Sequence, residues 1–155
     1  MTTDTHAVVH ATFNIARDYP QAPARVFKAF ADPVSKRRWY AEGEGFTVLQ
    51  YDLDFRVDGT ETSRFTYQGG PEIRNDTHFH DIVPNRRILA AYRMRIGGNF
   101  LSLSLASMEF AAQGKGTRLT YTEQGVYLSE DDVKNRKEGC AGLLEMLAKE
   151  LAGPP

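Results

Sequence analysis

The side chains able to do chemistry are few and scattered. His78 and His80 stand two apart in a strand-like segment, the spacing that puts two imidazoles on one face as a metal site requires. Phe79 and Val83 have the opposite parity and claim the interior, which turns both histidines to solvent, and no third ligand stands at a recognisable metal spacing. His6 and His10 fall in weakly patterned chain. The same parity carries Asp81 inward with Phe79, and Glu123 shares a face with Leu119 and Tyr121. Two carboxylates beside an apolar space are candidate acid and base groups, because loss of water disfavours their charged forms. The plainer reading sets them at a cavity mouth, hydrogen-bonded or paired with Arg56 or Arg93. Tyr51, Tyr67, Tyr92 and Tyr121 would orient a ligand through their hydroxyls or serve as core aromatics with wet tips. There is no nucleophile elbow, no phosphate-cradling glycine loop and no Cys–His pairing, and Cys140 reads as a small buried hydrophobe.

The elements that must position these groups follow from hydrophobic period and from Gly, Pro, Asn and Asp punctuation. Residues 1–9 form a loose lead-in, and His10–Asp18 alternates as a strand. Residues 24–30 carry Val26, Phe27 and Phe30 on one helical stripe. Asp32-Pro33 caps and opens a second short helix over 34–40. Six strand segments follow, over 46–57, 61–68, 72–83, 88–96, 101–112 and 117–124. A phase switch near Leu49 in the first and another near Ala106 and Ser107 in the fifth each predict a bulge. After Gly125, Ser129 is an N-cap with Asp131 and Asp132 in the first turn. Val133, Cys140, Leu143, Leu144, Leu147 and Leu151 then recur at helical spacing up to Gly153-Pro154-Pro155.

The chain has 155 residues, 19 Lys plus Arg against 20 Asp plus Glu, and 41% hydrophobic residues. That is the size and composition of one globular α+β domain spanning 1–155, and it excludes a disordered chain. The near-neutral balance argues against nucleic acid, which needs a basic surplus. One cysteine and no long apolar run predict a cytoplasmic protein without membrane insertion. A homodimer is left open.

A curved antiparallel sheet closed by a single long helix leaves space wherever side chains do not fill it, and such clefts take apolar ligands. Gly139 and Gly142 in the long helix make room there or permit close packing. The lining expected is Trp39, Phe65, Tyr67, Phe79, Tyr92, Met94, Leu103, Phe110, Tyr121, Leu143 and Leu147, with Asp81 and Glu123 as polar anchors.

Several segments resemble one family within the START-related SRPBCC superfamily, the homologues of the heat-shock-protein-90 ATPase activator's C-terminal domain. PARVFKAFADPVSKRRWYAEGEGF resembles its opening helix pair through Val26, Phe27, Asp32, Pro33, Trp39 and Gly45. LDFRVDG is similar to an Asp-x-Arg-x-Gly-Gly strand end through Asp54, Arg56 and Gly59, with Asp58 replacing the first glycine. FHDIVPNRRILAAY resembles the next strand pair through Asp81, and GTRLTYTEQG the last strand. The resemblance covers nearly the whole chain and implies a helix-grip fold: seven antiparallel strands around a C-terminal helix, with two short helices after the first strand. The family's final helix commonly carries Gly-Trp where this chain has Gly139-Cys140, a loss that enlarges or reshapes the cavity. Superfamily members include lipid and hormone binders, polyketide cyclases and co-chaperones, and the family name suggests a stress response. The leading expectation is a binder of a small apolar molecule with no cofactor and no metal. A chaperone partner, or a cyclase- or hydrolase-type enzyme using Asp81 and Glu123, is the alternative.

Overall fold

The computed structural model describes residues 6–154. The order is β1 (Val9–Tyr19), α1 (Pro23–Ala31), α2 (Pro33–Tyr40), β2 (Phe46–Leu53), β3 (Thr60–Tyr67), β4 (Ile73–Val83), β5 (Arg87–Ile96), β6 (Asn99–Gln113), β7 (Gly116–Tyr127) and α3 (Glu130–Ala152). All seven strands form one antiparallel sheet in the order β1-β7-β6-β5-β4-β3-β2. Strands β2 to β7 pair each with the next, and β1 adds beside β7, so α1 and α2 bridge the two edges of the sheet. The expected α+β helix-grip architecture is the one observed. Residues 1–5 of the expected lead-in lie outside the described residues.

Local chemistry explains the helix boundaries. Proline opens α1 and α2, and the Asp32 carboxylate accepts from the Val34 amide at 3.0 Å. Ser129 accepts from the Asp132 amide at 3.1 Å, and Glu130, Asp131 and Asp132 place negative charge at the positive end of α3. The Gly97-Gly98 turn between β5 and β6 has φ of 55° and 81°, the left-handed pair that a tight hairpin needs.

Cross-strand partners share a face, so the register sorts the side chains. Phe13, Ile15, Phe79, Ile88, Phe110 and Leu119 point inward. They pack with Val26, Phe27 and Phe30 of α1, Trp39 of α2 and Leu144, Leu147 and Leu151 of α3. Aromatic edges interlock there, with Phe110 ring centroids 5.5 Å from Phe27 and 5.4 Å from Phe30. α3 lies against β1, β7, α1 and α2.

The bulge expected near Leu49 is present as a register shift between Val48 and Gln50. The one expected near Ala106 and Ser107 is absent, since β6 pairs with β7 in unbroken register. Even-numbered Ser102, Ser104, Ala106, Met108 and Phe110 face inward and Leu103 and Leu105 face out, while Leu101 is the unpaired residue at a register shift against β5. Gly139 and Gly142 do not face the sheet either. Both lie on the exposed side of α3, and a Cβ at either would meet open space.

Ser129→Ala removes the α3 cap and is expected to lower the unfolding free energy by about 1 kcal/mol. The midpoint of a urea titration at unchanged slope checks this.

Candidate functional site

The inner face of the sheet carries two buried polar clusters joined by a row of uncharged polar groups. The first centres on Glu123 of β7, which is fully buried. Its Oε1 accepts from the Tyr92 and Tyr121 hydroxyls, both at 2.6 Å. Its Oε2 accepts from Tyr127 at 2.5 Å, Ser104 at 3.0 Å and Arg136 Nη1 at 3.4 Å. Five donors from β5, β6, β7 and α3 satisfy one carboxylate, the condition under which a buried charge is tolerated. Gly125 makes this geometry possible, because a Cβ there would fall 2.7 Å from the Tyr127 hydroxyl and 2.6 Å from Ser104 Oγ. Burial raises the pKa of Tyr92 and Tyr121 well above the phenolic range, reinforced at both by the adjacent Glu123 charge. Burial and then Glu123 push the Cys140 thiol up to about 12, with Sγ 3.8 Å from Glu123 Oε1. That thiol is protonated and unreactive at neutral pH.

The second cluster joins α2 to β2 and β3. Lys36 Nζ lies 3.0 Å from Glu61 Oε2, and Tyr51 donates to the same oxygen at 2.5 Å. The ammonium also sits 4.4 Å from the Tyr40 ring centroid. Burial raises the Tyr51 pKa, with Glu61 next in effect.

Between the clusters one transverse row crosses the inner face: Tyr51, Ser63, Asn75, Met94, Ser102 and Tyr127, each opposite the next. Asn75 Nδ2 donates to the Tyr40 hydroxyl at 3.2 Å, while Asn75 Oδ1 and Ser102 Oγ are buried with no hydrogen-bond partner among the described residues. Burial raises the Tyr40 pKa, with the Glu61 charge next, and hydrogen bonding with Asn75 and Ser63 opposes the rise. Above Met94, Arg136 Nη2 meets only the thioether sulfur, at 2.7 Å. A thioether is a weak acceptor, so this nitrogen is the under-used arm of the guanidinium. Toward the free ends of β3 to β5 the inner face is apolar. Phe65, Ile73 and Ile96 are half-buried there, while Phe46 and Tyr67 are 37% and 45% exposed.

The residues singled out from the sequence divide into five groups. Tyr92 and Tyr121 bond Glu123, Arg136 joins Glu123, Tyr92 and Met94, and Phe65 and Tyr67 belong to the apolar inner rim. Leu143 is half-buried against the core, on α3. Trp39, Phe79, Phe110 and Leu147 are packed core and line no open surface. Leu103 and Asp81 lie on the outer face. Leu103 is 52% exposed opposite Val126, because β6 keeps one phase. A bulge at His80 shifts the β4–β5 register between Phe79 and Asp81 and reverses the parity that sequence spacing implies. Asp81 therefore pairs with Arg87 at 2.6 Å. With Asp81 and Glu123 on opposite faces of the sheet, they cannot act as an acid–base pair. The expected partners differ as well: Arg56 bonds Asp54, and Arg93 lies 4.0 Å from Asp76. His78 and His80 stack at 4.3 Å, with His78 3.1 Å from Asp58, and among the described residues no group of three or more His, Cys, Asp and Glu is placed to hold a metal.

The outer face has two open depressions of about 580 and 400 Å³, both bordered by Ala91 and Leu103. The first is bordered by Leu103, Leu105 and Val126 together with His10, Thr12 and Gln124, and the second mostly by polar side chains, among them Thr62, Asp76, His78 and Arg93.

Arg136, Ser102, Asn75, Lys36 and Glu61 were not anticipated. A signal existed for Arg136, which falls between Val133 and Cys140 in the α3 stripe, where a charge needs a buried partner. Glu61 likewise shares parity with Phe65 and Tyr67.

Residues 21–152 match the family described as activator of Hsp90 ATPase homolog 1-like protein, and the chain belongs to that family. It is 53% identical to Mll3558 from Rhizobium loti, with 94% of this chain and 99% of that one covered at a TM-score of 0.86. A putative uncharacterized protein from Rhizobium leguminosarum is 38% identical, with 94% and 97% covered and a TM-score of 0.89. CV1439 from Chromobacterium violaceum is 25% identical, with 92% and 98% covered and a TM-score of 0.74. No curated protein matches the chain. Among the described residues no helix is long and apolar enough to cross a membrane.

Glu123→Ala would strand Arg136 and three phenols, and is expected to cost about 3–5 kcal/mol of stability in chemical denaturation. The buried phenols also set an alkaline limit. Above about pH 10 the unfolded chain loses phenol protons that the native state keeps, so the unfolded state binds fewer protons and stability falls as pH rises. Absorbance at 295 nm should show Tyr92 and Tyr121 ionising only as the protein unfolds.

Proposed function

We propose that this protein binds a small, largely apolar molecule on the inner face of the sheet, between the free ends of β3–β5 and the Arg136 side of α3. The observation that carries this reading is the combination, on one face, of an incompletely covered apolar rim with buried polar atoms that have no partner. A rim of Phe65, Tyr67, Ile73 and Ile96 supplies burial for a hydrocarbon skeleton, and the row of Ser63, Asn75 and Ser102 supplies orientation. Small-molecule sites combine these two elements, with few polar groups set in apolar walls. Glu123 serves to hold Arg136 and the tyrosines in place, since all its acceptor capacity is used within the protein.

A second reading is favoured by the outer face, where Leu103 and Leu105 are 52% and 55% exposed and Phe100 is 42% exposed. Exposed apolar surface of this kind suits a protein partner, a chaperone among them.

Fluorescence of the neutral probe N-phenyl-1-naphthylamine separates the faces. Ile73→Asp is expected to weaken probe binding about tenfold or more, and Leu105→Asp to leave it unchanged. Loss of binding in Leu105→Asp alone would move the site to the outer face.

A further inference from the structure

We propose that the open edge of β1 is an interface between two copies of this chain. β1 pairs antiparallel with β1 of the second copy about a dyad at Asn14, joining the two sheets into one. This interface uses the rim of the sheet and neither of its faces, so it stands apart from the ligand site.

The two edge strands differ in protection. β2 has 8 residues, and its register shifts between Val48 and Gln50, a bulge of the kind that blunts a sheet edge. β1 runs 11 residues in unbroken register with β7 and holds no proline, lysine or bulge. Its other side pairs with no strand among the described residues. Which groups it leaves over follows from alternation. The Phe110 amide donates to the Arg86 carbonyl, so even-numbered β6 residues around it turn toward β5 and odd-numbered ones toward β7. In β7 the even-numbered partners are thereby used, and the odd-numbered residues bond odd-numbered residues of β1. The amides and carbonyls of His10, Thr12, Asn14, Ala16 and Asp18 therefore point out from the edge. In keeping with this, Arg17 Nη1 donates to the Ala16 carbonyl at 3.0 Å, and that oxygen keeps a second lone pair.

The β1 sequence is complementary to itself in one register. A dyad at Asn14 pairs the strand over its whole length, with Val9 opposite the partner's Tyr19. On the outer side His10 meets the partner's Asp18 and Thr12 meets the partner's Ala16, and on the inner side Phe13 meets the partner's Ile15. Imidazole against carboxylate and phenyl against isoleucine are favourable cross-strand pairs. The outer pairs join the residues whose backbone groups are unused, so each exchanges two main-chain hydrogen bonds. Moving the dyad to Phe13 keeps those groups facing but sets Asp18 opposite the partner's Val8. Moving it to Ile15 sets Phe13 opposite the partner's Arg17. The two α3 helices fall at opposite ends of the paired strands, because α3 bonds β1 near one end, through Tyr19 to the Leu144 carbonyl and Arg17 to Glu145. Opposite Arg17 stands the partner's Ala11, the smallest side chain of the inner row.

The test is sedimentation velocity of the full chain from about 5 to about 300 µM, where the wild type is expected to pass from monomer to dimer. Asn14 is exposed, so Asn14→Lys should leave the melting temperature unchanged. It sets two like charges opposite each other at the dyad and should raise the dissociation constant about tenfold or more. Oxidative cross-linking reads the register. Asn14→Cys should join two chains, since facing Cα atoms there are about 5.5 Å apart, within disulfide reach. Ala16→Cys should not, because its two copies lie about 14 Å apart along the strands. Cys140 is buried with a protonated thiol and stays out of the reaction. A wild type that remains monomeric at the highest concentration would overturn the proposal. So would a dimer that Asn14→Lys leaves equally tight, or cross-linking of Ala16→Cys in preference to Asn14→Cys.

Discussion

The interior is organised by the need to satisfy one buried carboxylate. Glu123 is fully buried, and five hydrogen bonds from O–H and N–H donors on four elements, with a longer one from the Cys140 thiol, compensate it. That requirement fixes Tyr92 on β5, Ser104 on β6, Tyr121 and Tyr127 on β7, and Arg136 on α3 relative to one another. It also dictates a residue with no side chain at position 125. Burial works against the charge of Arg136, and the Tyr92 and Glu123 oxygens outweigh it, so its pKa is raised. A cluster this complete acts as a rivet between the terminal helix and the middle of the sheet. It also presents the outer arm of the guanidinium to the remaining inner surface.

The rivet explains why the space under α3 is not a simple apolar chamber. One end is filled by the interlocked rings of Phe27, Phe30, Trp39 and Phe110, and the middle by phenols and the guanidinium. The inner surface left for another molecule lies toward β3–β5, between this cluster and the Lys36–Glu61 pair. That surface is apolar at the rim and polar at the floor.

The fold was legible because each element boundary carries its own chemistry: Asp32-Pro33, Ser129, the paired glycines at 97 and 98, and the stripe of leucines in α3. The site was less so. Strand parity is reliable only until a bulge intervenes, and the one at His80 reversed Asp81 without any Gly or Pro to announce it. In β6 the leucines at 101, 103 and 105 invite an inward reading, yet the inner positions are small serines, because Tyr92, Tyr127 and Arg136 from neighbouring elements fill the space above them. Such compensation between volumes on different segments leaves no trace in local periodicity. Glu123 was singled out, but its donors come from residues up to 31 positions away in sequence, and no spacing rule brings them together.

The central claim is that a small apolar molecule seats on the inner face of the sheet, where Phe65, Ile73 and Ile96 are incompletely covered and Met94 lies next in line. The direct measurement is carbon-13 methionine- and leucine-methyl NMR with N-phenyl-1-naphthylamine at saturation. The account predicts that the Met94 methyl shifts and shows nuclear Overhauser contacts to the ligand, while Leu103 and Leu105 on the opposite face keep their positions. Contacts to those leucines with an unmoved Met94 signal would contradict it.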